Sequence, residues 1–321
     1  MRILLTGAAG FIGSHLGERL ARDHEVVGVD NFEDYYDPAI KERNAEAFER
    51  AGGTILRLDA REEDFVKHFQ GERFDAVAHL AAKVGVRPSL SEPKEYYQAN
   101  VEGTLNALET ARATDASAFL FASSSSIYGD RSDVPFRETD RVDKPISPYA
   151  ATKKAGELLV HTYAHLYGLR TACLRFFTVY GERQRPDLAI AKFARLIEND
   201  EPIPLFGDGS SKRDYTYVGD VVEGVVGCLE WLRERPAGKY DVFNIGESRT
   251  VALRELVSEL ERALGKKAKI DRRERQLGDV KETFADVSKA AETFGYKPTT
   301  TISEGIAKYV EHLRAVEAEA K

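Results

Sequence analysis

The chain opens with MRILLTGAAGFIGSHLGERLARDHEVVGVD, residues 1–30, in which four local patterns follow one another. The apolar run over 2–5 predicts a buried strand, and the spacing of Leu16 and Leu20 predicts a helix over 14–22. A second strand is predicted over 25–30, and the glycine-rich turn TGAAGFIGS, residues 6–14, connects the first strand to the helix. Strand, glycine turn, helix and a strand that ends in an acid are the opening of a dinucleotide-binding fold.

The three glycines of the turn have different physical tasks. Gly7 permits a tight turn, Gly10 lets the backbone approach a pyrophosphate, and Gly13 lets the helix pack closely on the sheet. The helix N-terminus offers unpaired N–H groups and a positive dipole end to the phosphates. Asp30 lies at the strand end, where a carboxylate can accept both hydroxyls of the adenosine ribose, and no Arg sits beside it. The pattern therefore favours NAD over NADP.

Composition excludes several broad classes of protein. The 321 residues are 42% hydrophobic and 31% charged, as in a globular protein with one large domain or two smaller ones. The net charge of −7 argues against a general nucleic-acid binder. We expect no signal peptide and no membrane span. Cys173 and Cys228 lie in apolar stretches, which predicts buried thiols in a reducing cytoplasm and no disulfide.

The rest of the chain continues the alternation of strands and helices. Further strands are predicted over 54–58, 74–80, 118–122, 170–176 and 202–206. Further helices are predicted over 38–50, 62–69, 95–112, 149–166, 190–199, 221–233 and 251–264. We therefore expect an α/β protein with a doubly wound parallel (Rossmann) sheet and a smaller mixed C-terminal substrate lobe. The sheet is assigned to 1–176 and about 214–245, and the lobe to about 177–213 and 246–321.

Tyr149 and Lys153 lie four residues apart, on one face of a predicted helix. A free tyrosine has a pKa of about 10 and is a poor base at neutral pH. A nearby ammonium group and the positive nicotinamide of NAD⁺ would favour the phenolate and lower that pKa. Ser124, at the end of the strand over 118–122, is the candidate to hold a substrate hydroxyl beside the phenol.

These motifs resemble the extended short-chain dehydrogenase/reductase superfamily. The stretches that carry the resemblance are 6–13, 30–31, 123–129 and 149–153, and it extends over nearly the whole chain. Within the superfamily, the chain looks like the nucleotide-sugar 4-epimerases, closest to UDP-glucuronate 4-epimerase. That likeness rests on DNFEDYYDP (30–38), GVRPSL (85–90), SSSSIYG (123–129), YAATKKAGE (149–157) and RFFTVYG (175–181).

The resemblance implies a role for each matching position on the cofactor side. The pyrophosphate of NAD would be wrapped by Gly7, Gly10, Phe11, Ile12 and Gly13. The adenosine would be held by Asp30, Asn31, Asp59 and Ala60. The rest of the cofactor would be lined by Leu80, Ala81, Ala82 and Lys83, with Asn100 near it. Ser124 and Tyr149 would meet the sugar 4-hydroxyl, and Lys153 the nicotinamide ribose.

The resemblance also implies the residues that hold the sugar nucleotide. The UDP would be bound by Arg213 and Gln276, with Arg275 and Asp279 close by, and Ser125 is a further substrate residue. The contacts to a C6 carboxylate would be Ser126, Thr178 and Arg185, with Arg87 as a second candidate cation. Thr178 stands where UDP-galactose epimerases usually carry Asn. Arg185 can pair bidentately with a carboxylate, and the alternative is that it is a surface residue of a polar loop.

The implied activity is NAD-dependent 4-epimerisation of a UDP-sugar through a 4-keto intermediate, with UDP-glucuronate and UDP-galacturonate as the expected pair. UDP-glucose 4-epimerase, UDP-glucuronate decarboxylase and a non-catalytic NAD-sensing protein remain alternatives. A 4,6-dehydratase is disfavoured, because Ser125 and Ser126 stand where that class carries an acid pair. The histidines form no metal-ligand pattern. The helices over 95–112 and 149–166 would pair across a two-fold axis as a four-helix bundle in a homodimer.

Overall fold

The fold is that of a computed structural model, and the structure describes residues 1–274 and 280–319. The strands of these residues are β1 (Arg2–Thr6), β2 (Glu25–Asp30), β3 (Thr54–Arg57), β4 (Ala76–His79), β5 (Ala118–Ser124), β6 (Arg170–Phe176), β7 (Thr178–Tyr180), β8 (Pro202–Phe206), β9 (Lys212–Tyr217), β10 (Tyr240–Ile245), β11 (Thr250–Ala252) and β12 (Lys269–Arg273). The α-helices are α1 (Phe11–Ala21), α2 (Pro38–Arg50), α3 (Val86–Ser91), α4 (Pro93–Tyr97), α5 (Gly103–Ala113), α6 (Pro148–Tyr167), α7 (Ala189–Glu198), α8 (Val218–Arg233), α9 (Leu253–Leu264), α10 (Ser288–Phe294) and α11 (Ile302–Glu319).

The central sheet has seven strands in the order β3-β2-β1-β4-β5-β6-β10. All neighbouring strands in it are parallel. The direction of winding reverses between β1 and β4, and ligands of such sheets bind beyond the carboxyl ends of the strands at that point. The predicted fold class, a doubly wound parallel sheet with a smaller mixed lobe, is confirmed.

The smaller lobe contains one three-stranded sheet, β7-β9-β11, and the parallel pair β8-β12. Its core is formed by buried apolar residues of α7, α9 and α11, among them Phe193, Leu256 and Ile306. The chain enters this lobe after β6 and returns to the central sheet at β10. The finer division of the chain at residues 176, 214 and 245 stays a prediction. Among the described residues, no helix is both long enough and apolar enough to cross a membrane.

The helix that carries Tyr149 has clear local causes. The Ser147 hydroxyl accepts a hydrogen bond from the backbone N–H of Ala150 at 3.1 Å, and Pro148 occupies the first helical position. The helix ends at Gly168, which adopts the left-handed conformation with a φ of 70°. These signals at both ends set the position of Tyr149 in the first turn of α6, close to the carboxyl end of β5.

Two predicted helices differ from the structure. The segment predicted as helical over 62–69 contains only a 3₁₀ turn, Phe65–Phe69, which is enough to bury both of its phenylalanine rings. The predicted helix over 95–112 is interrupted by a π-helical turn, Gln98–Glu102, between α4 and α5. That turn holds the buried Asn100, whose side chain bonds the backbone of Lys83, and π turns are frequent at functional sites.

Candidate active site

A cavity of about 520 Å³ lies beyond the carboxyl ends of the central strands. Most of the predicted site residues line it: Gly7, Gly10, Phe11, Ile12, Gly13, Asp30, Asn31, Asp59, Ala60, Leu80, Ala81, Ala82, Lys83, Ser124, Ser125, Ser126, Tyr149, Lys153, Thr178, Arg185 and Arg213. Asn100 and Arg87 are not among the lining residues. Gln276, with its neighbours Arg275 and Asp279, lies outside the described residues.

The glycine turn is packed too tightly for side chains at two positions. A Cβ on Gly7 would lie 2.8 Å from the backbone nitrogen of Ala81, and Gly7 has a φ of +74°. A Cβ on Gly13 would lie 2.0 Å from the carbonyl oxygen of Gly7. Because of this close packing, α1 begins directly at the cavity wall, and its N-terminal N–H groups are available to an anion. The turn therefore fits the pyrophosphate of a dinucleotide.

Asp30 is buried at the end of β2, and its carboxylate is already engaged. Oδ2 accepts from the backbone N–H of Ala9 at 3.1 Å, and Oδ1 accepts from that of Phe32 at 2.9 Å. Lys41 Nζ, from α2, lies 3.5 Å from Oδ1, so a cation does stand beside Asp30. No local sequence pattern predicts this pair, because the path of the loop over 31–37 decides which residue of α2 reaches the strand end.

Asp59 and Asn31 face each other at the same edge of the sheet. Asn31 Nδ2 donates to Asp59 Oδ2 at 3.0 Å. Arg61, which sequence reasoning missed, donates to the same carboxylate from Nε at 2.9 Å and from a terminal nitrogen at 2.6 Å. Asp59 is thus fixed by two neighbours at the edge of the cavity.

Tyr149 and Ser124 meet inside the cavity. Burial raises the pKa of Tyr149, whereas a hydrogen bond with Ser124 and the positive charge of Arg185 lower it. The sequence predicts that the ammonium group of Lys153 lowers the pKa of Tyr149. In the structure, Lys153 Nζ donates instead to the Ala122 carbonyl oxygen at 2.8 Å, and the charge that acts on Tyr149 is that of Arg185. Burial lowers the pKa of Lys153 to about 7, which makes it a weak source of positive charge.

Arg185 is not a solvated residue of a surface loop. Its side chain is only 16% exposed, and its Nε and one terminal nitrogen donate to the two carboxylate oxygens of Asp187 at 2.9 and 2.8 Å. Its guanidinium carbon lies 5.7 Å from the centre of the Tyr35 ring, which also lines the cavity. The alternative interpretation of Arg185 is therefore wrong, and the structure adds Asp187 and Tyr35 to its surroundings.

Thr178 and Ser126 line the same cavity as Arg185. Thr178 begins β7, the first strand of the smaller lobe. Ser126 lies in the turn after β5, and its hydroxyl has no hydrogen-bond partner among the described residues. Arg185 and Thr178 thus give the cavity a cation and a hydroxyl, groups that can bind a negatively charged ligand.

Two of the predicted residues support the cavity from outside. Asn100 accepts from the Lys83 N–H at 2.8 Å and donates to Thr152 Oγ1 at 3.0 Å, so it ties the loop after β4 to α6. Arg87, on α3, lies over the ring of Phe206 with its guanidinium carbon 5.6 Å from the ring centre. Arg87 thus joins the two sides of the cleft by contact with β8.

A buried ion pair near Lys153 on α6 was not predicted. Glu157, four residues after Lys153, is fully buried. Its Oε1 accepts from Ser123 Oγ at 2.7 Å and from Arg175 Nε at 2.9 Å, and its Oε2 accepts from a terminal nitrogen of Arg175 at 3.0 Å. These bonds connect α6 to β5 and β6. The spacing from Lys153 places Glu157 on the same helix face, which was the available signal.

The fold and the cavity define a class of protein. A parallel sheet, a glycine turn at a helix N-terminus and a Tyr–Lys pair on α6 in a single cavity are the parts of a short-chain dehydrogenase/reductase. Residues 3–246 match the NAD dependent epimerase/dehydratase family. The chain therefore belongs to this family, and the predicted resemblance is confirmed.

Relatives of this family agree with the match. UDP-glucuronate 4-epimerase 3 of Arabidopsis thaliana is 42% identical over 322 residues, which are 96% of this chain and 75% of the plant protein. UDP-glucuronic acid 4-epimerase of Bacillus cereus, in complex with UDP-glucuronic acid and NAD, is 35% identical with a TM-score of 0.91, over 98% of this chain and 100% of that one. UDP-glucose 4-epimerase of Thermotoga maritima, with UDP-glucose, is 32% identical with a TM-score of 0.89, over 99% and 100%.

Proposed function

We propose that the chain is an NAD-dependent 4-epimerase of UDP-sugars that interconverts UDP-glucuronate and UDP-galacturonate. One observation carries the proposal: Ser124, Tyr149 and the cationic Arg185 line the same cavity as the glycine turn. An acid–base pair and a carboxylate partner thus face one substrate beside a dinucleotide site. Relatives that act on UDP-glucuronate and on UDP-glucose support the reaction type.

The glycine turn and the N-terminus of α1 would hold the pyrophosphate of NAD, and Asp30 its adenosine ribose. When bound, NAD supplies a reversible hydride acceptor for C4 of the sugar. Lys83 and the backbone of Ala81 would line the remaining length of the cofactor. Lys153, which now bonds the Ala122 carbonyl, would turn to the nicotinamide ribose.

Tyr149 is the proton carrier of the proposed reaction. Ser124 would hold the sugar 4-hydroxyl, and Tyr149 would take its proton when C4 is oxidised to the ketone. The 4-keto sugar would then turn about the bonds to its phosphate and present the other face of C4. As the hydride returns to that face of C4, Tyr149 would return the proton to the 4-oxygen, and the new hydroxyl would form. The charge of Arg185 favours the phenolate that starts this sequence, because it lowers the pKa of Tyr149.

Ser126, Thr178 and Arg185 would bind the C6 carboxylate, and Arg213 and Gln276 the UDP. A 4-keto group is β to this carboxylate, so loss of CO₂ is chemically easy in the intermediate. Fixed contacts to both carboxylate oxygens can hold the C5–C6 bond where its cleavage is disfavoured. On this proposal the enzyme is an epimerase and does not act as a UDP-glucuronate decarboxylase.

UDP-glucose 4-epimerisation is the second candidate function. It is favoured by the bidentate pair of Arg185 with Asp187, which already balances the charge of the arginine. A neutral hexose can therefore enter the cavity and leave no unpaired cation behind. A non-catalytic NAD-sensing role has less support, because Ser124 and Tyr149 in the same cavity have no joint task in cofactor binding alone.

Two variants test the proposal. Tyr149→Phe should lower kcat by about 10²- to 10⁴-fold and leave the content of bound NAD unchanged, because only the proton carrier is lost. Arg185→Met should remove turnover of UDP-glucuronate more strongly than turnover of UDP-glucose. Equal loss with both sugars would assign Arg185 to general stability and would favour the UDP-glucose enzyme.

We also propose a homodimer through a four-helix bundle formed by the α4–α5 run and α6. The support is a set of exposed apolar side chains on these helices: Tyr97, Leu105, Leu158, Leu166 and Tyr167. Leu158 and Leu166 are 58% and 61% exposed, and α5 packs against α6. Leu158→Glu should produce monomers in light scattering. The matched control is Ile270→Glu, at an exposed residue of β12. A dimer that survives the first change would contradict the bundle.

We also propose that the protein is located in the cytoplasm. Both cysteines of the chain, Cys173 and Cys228, are buried free thiols, and burial raises the pKa of each of them. Such thiols need no oxidising compartment. Fractionation of cells that produce the protein, with detection by antibody, tests this location.

A further inference from the structure

We propose that Asp187 sets the sugar preference of the enzyme, because its carboxylate competes with a sugar carboxylate for the guanidinium of Arg185. The inference rests on the proposed function, in which Arg185 meets a uronate. It assigns a task to a residue that the reaction itself does not use. In this proposal, Asp187 acts through Arg185.

The pair is built into the local backbone. Arg185 and Asp187 are separated by Pro186, in the loop between β7 and α7. The backbone N–H of Leu188 donates to the carbonyl oxygen of Arg185 at 3.2 Å, which closes a turn around the pair. Because the partners are two residues apart and Pro186 restricts the backbone between them, little chain entropy is lost when they meet. The pair is therefore formed before a substrate arrives.

The two partners face different surroundings. Arg185 lines the cavity and is 16% exposed, whereas Asp187 is 40% exposed and is not among the described residues that line the cavity. Asp187 thus approaches the guanidinium from the solvent side. A sugar carboxylate must approach it from the cavity side, near Tyr149 and Thr178.

A guanidinium offers five N–H donors in a planar fork. Asp187 takes the edge formed by Nε and one terminal nitrogen of Arg185. A uronate can take the remaining edge or exchange with Asp187. In both cases, two carboxylates share one cation, and their mutual repulsion weakens the binding of the uronate.

The consequence is a difference between substrates. Without the charge of Asp187, a uronate would bind more tightly in its ground state, so its KM would fall and its product would leave more slowly. A neutral hexose gains nothing from the change, because it has no charge to pair with Arg185. Asp187 therefore moderates the affinity for uronates and keeps the cavity open to both kinds of sugar.

Asp187→Asn tests the inference, because the amide keeps the size of the side chain and removes its charge. We expect the Kd of UDP-glucuronate, measured by calorimetry on the NAD-loaded enzyme, to fall about 2- to 5-fold at low ionic strength, the range of partly exposed ion pairs. The gain should shrink in 0.5 M salt, and the Kd of UDP-glucose should stay within 1.5-fold. The matched control is Asp115→Asn, which removes a charge paired with Arg73 far from the cavity.

A second variant separates competition from positioning. Asp187→Ala removes the hydrogen bonds as well as the charge. If Asp187 competes, this variant also binds UDP-glucuronate more tightly; if Asp187 only orients Arg185, the variant binds it more weakly, and the inference is overturned. An unchanged or higher Kd of UDP-glucuronate in the Asp187→Asn protein would also overturn the inference.

The proposed function fails separately. If the wild-type enzyme does not bind UDP-glucuronate at all, the uronate function is wrong. In that case, if the Asp187→Asn protein does bind UDP-glucuronate, the competition between the two carboxylates is still supported. If neither protein binds UDP-glucuronate, both the uronate function and the competition are overturned.

Discussion

Because Lys153 is buried, the unfolding free energy of the protein should depend on pH, whichever sugar the enzyme binds. Burial lowers the pKa of Lys153 from 10.5 to about 7, so the unfolded chain binds more protons than the folded protein between pH 7 and pH 10.5. Stability from this group therefore rises with pH across that window. Below pH 7 the charged lysine costs about 5 kcal/mol of unfolding free energy, and the cost vanishes above pH 10.5.

Lys153→Met removes this titration. The variant lacks the bond to the Ala122 carbonyl, which gives a constant offset, but the difference in unfolding free energy between variant and wild type should still change with pH. We expect the advantage of the variant to fall by about 2 kcal/mol between pH 7 and pH 9. Urea unfolding of both proteins at pH 7, 8 and 9 measures it.

The comparison needs two precautions. Cofactor-free protein at one fixed concentration is used, because bound cofactor and dimerisation would stabilise the two proteins unequally. Lys67→Met, the same change at an exposed lysine, provides the baseline for loss of a charge. A variant-to-wild-type difference that stays constant from pH 7 to pH 9 would refute the assignment of a buried, easily neutralised Lys153.

Two further substitutions test the cofactor site and the support below it. Gly13→Ala should lower the NAD content of purified protein at least tenfold, by chromatography of the released nucleotide, because the new Cβ would lie 2.0 Å from the Gly7 carbonyl oxygen. Gly103→Ala, whose Cβ would lie 3.7 Å from its nearest neighbour, is the control. Arg175→Met should lower the unfolding free energy by about 3 to 5 kcal/mol, because it leaves the buried Glu157 carboxylate unpaired.

Each of these two predictions has an outcome that would contradict it. Full NAD content in the Gly13→Ala protein would mean that the turn relaxes around a side chain and is not the tight cradle described above. A loss below about 1 kcal/mol in the Arg175→Met protein would mean that water or Lys154, whose Nζ lies 3.3 Å from Glu157, compensates the buried charge.

Elements with strong local signals were predictable. The glycine turn over 6–14 required a strand before it and a helix after it, and both are present. Ser147 and Pro148 mark the start of α6, and Gly168 marks its end. Within this helix, the four-residue spacing of Tyr149 and Lys153 places them on one face. Six of the seven central strands were predicted, because buried parallel strands are continuous apolar runs. The seventh, β10, was not predicted, because Asp241 and Asn244 interrupt its apolar residues.

The smaller lobe was less predictable, for physical reasons. β7 and β11 have three residues each, too few to show a period, and they form only because β9 lies between them. The pair of Lys41 with Asp30 depends on the path of a loop, which no local pattern records. The burial of Arg185 likewise depends on Tyr35, which approaches it from the loop over 31–37.

The most direct test of the central claim is a product analysis. Purified protein is incubated without added NAD, with UDP-glucuronate and separately with UDP-glucose, and the products are identified by NMR. We expect UDP-galacturonate to form from UDP-glucuronate without release of CO₂. Formation of UDP-galactose from UDP-glucose, with UDP-glucuronate left untouched, would contradict the carboxylate-binding role of Arg185 and assign the enzyme to UDP-hexoses.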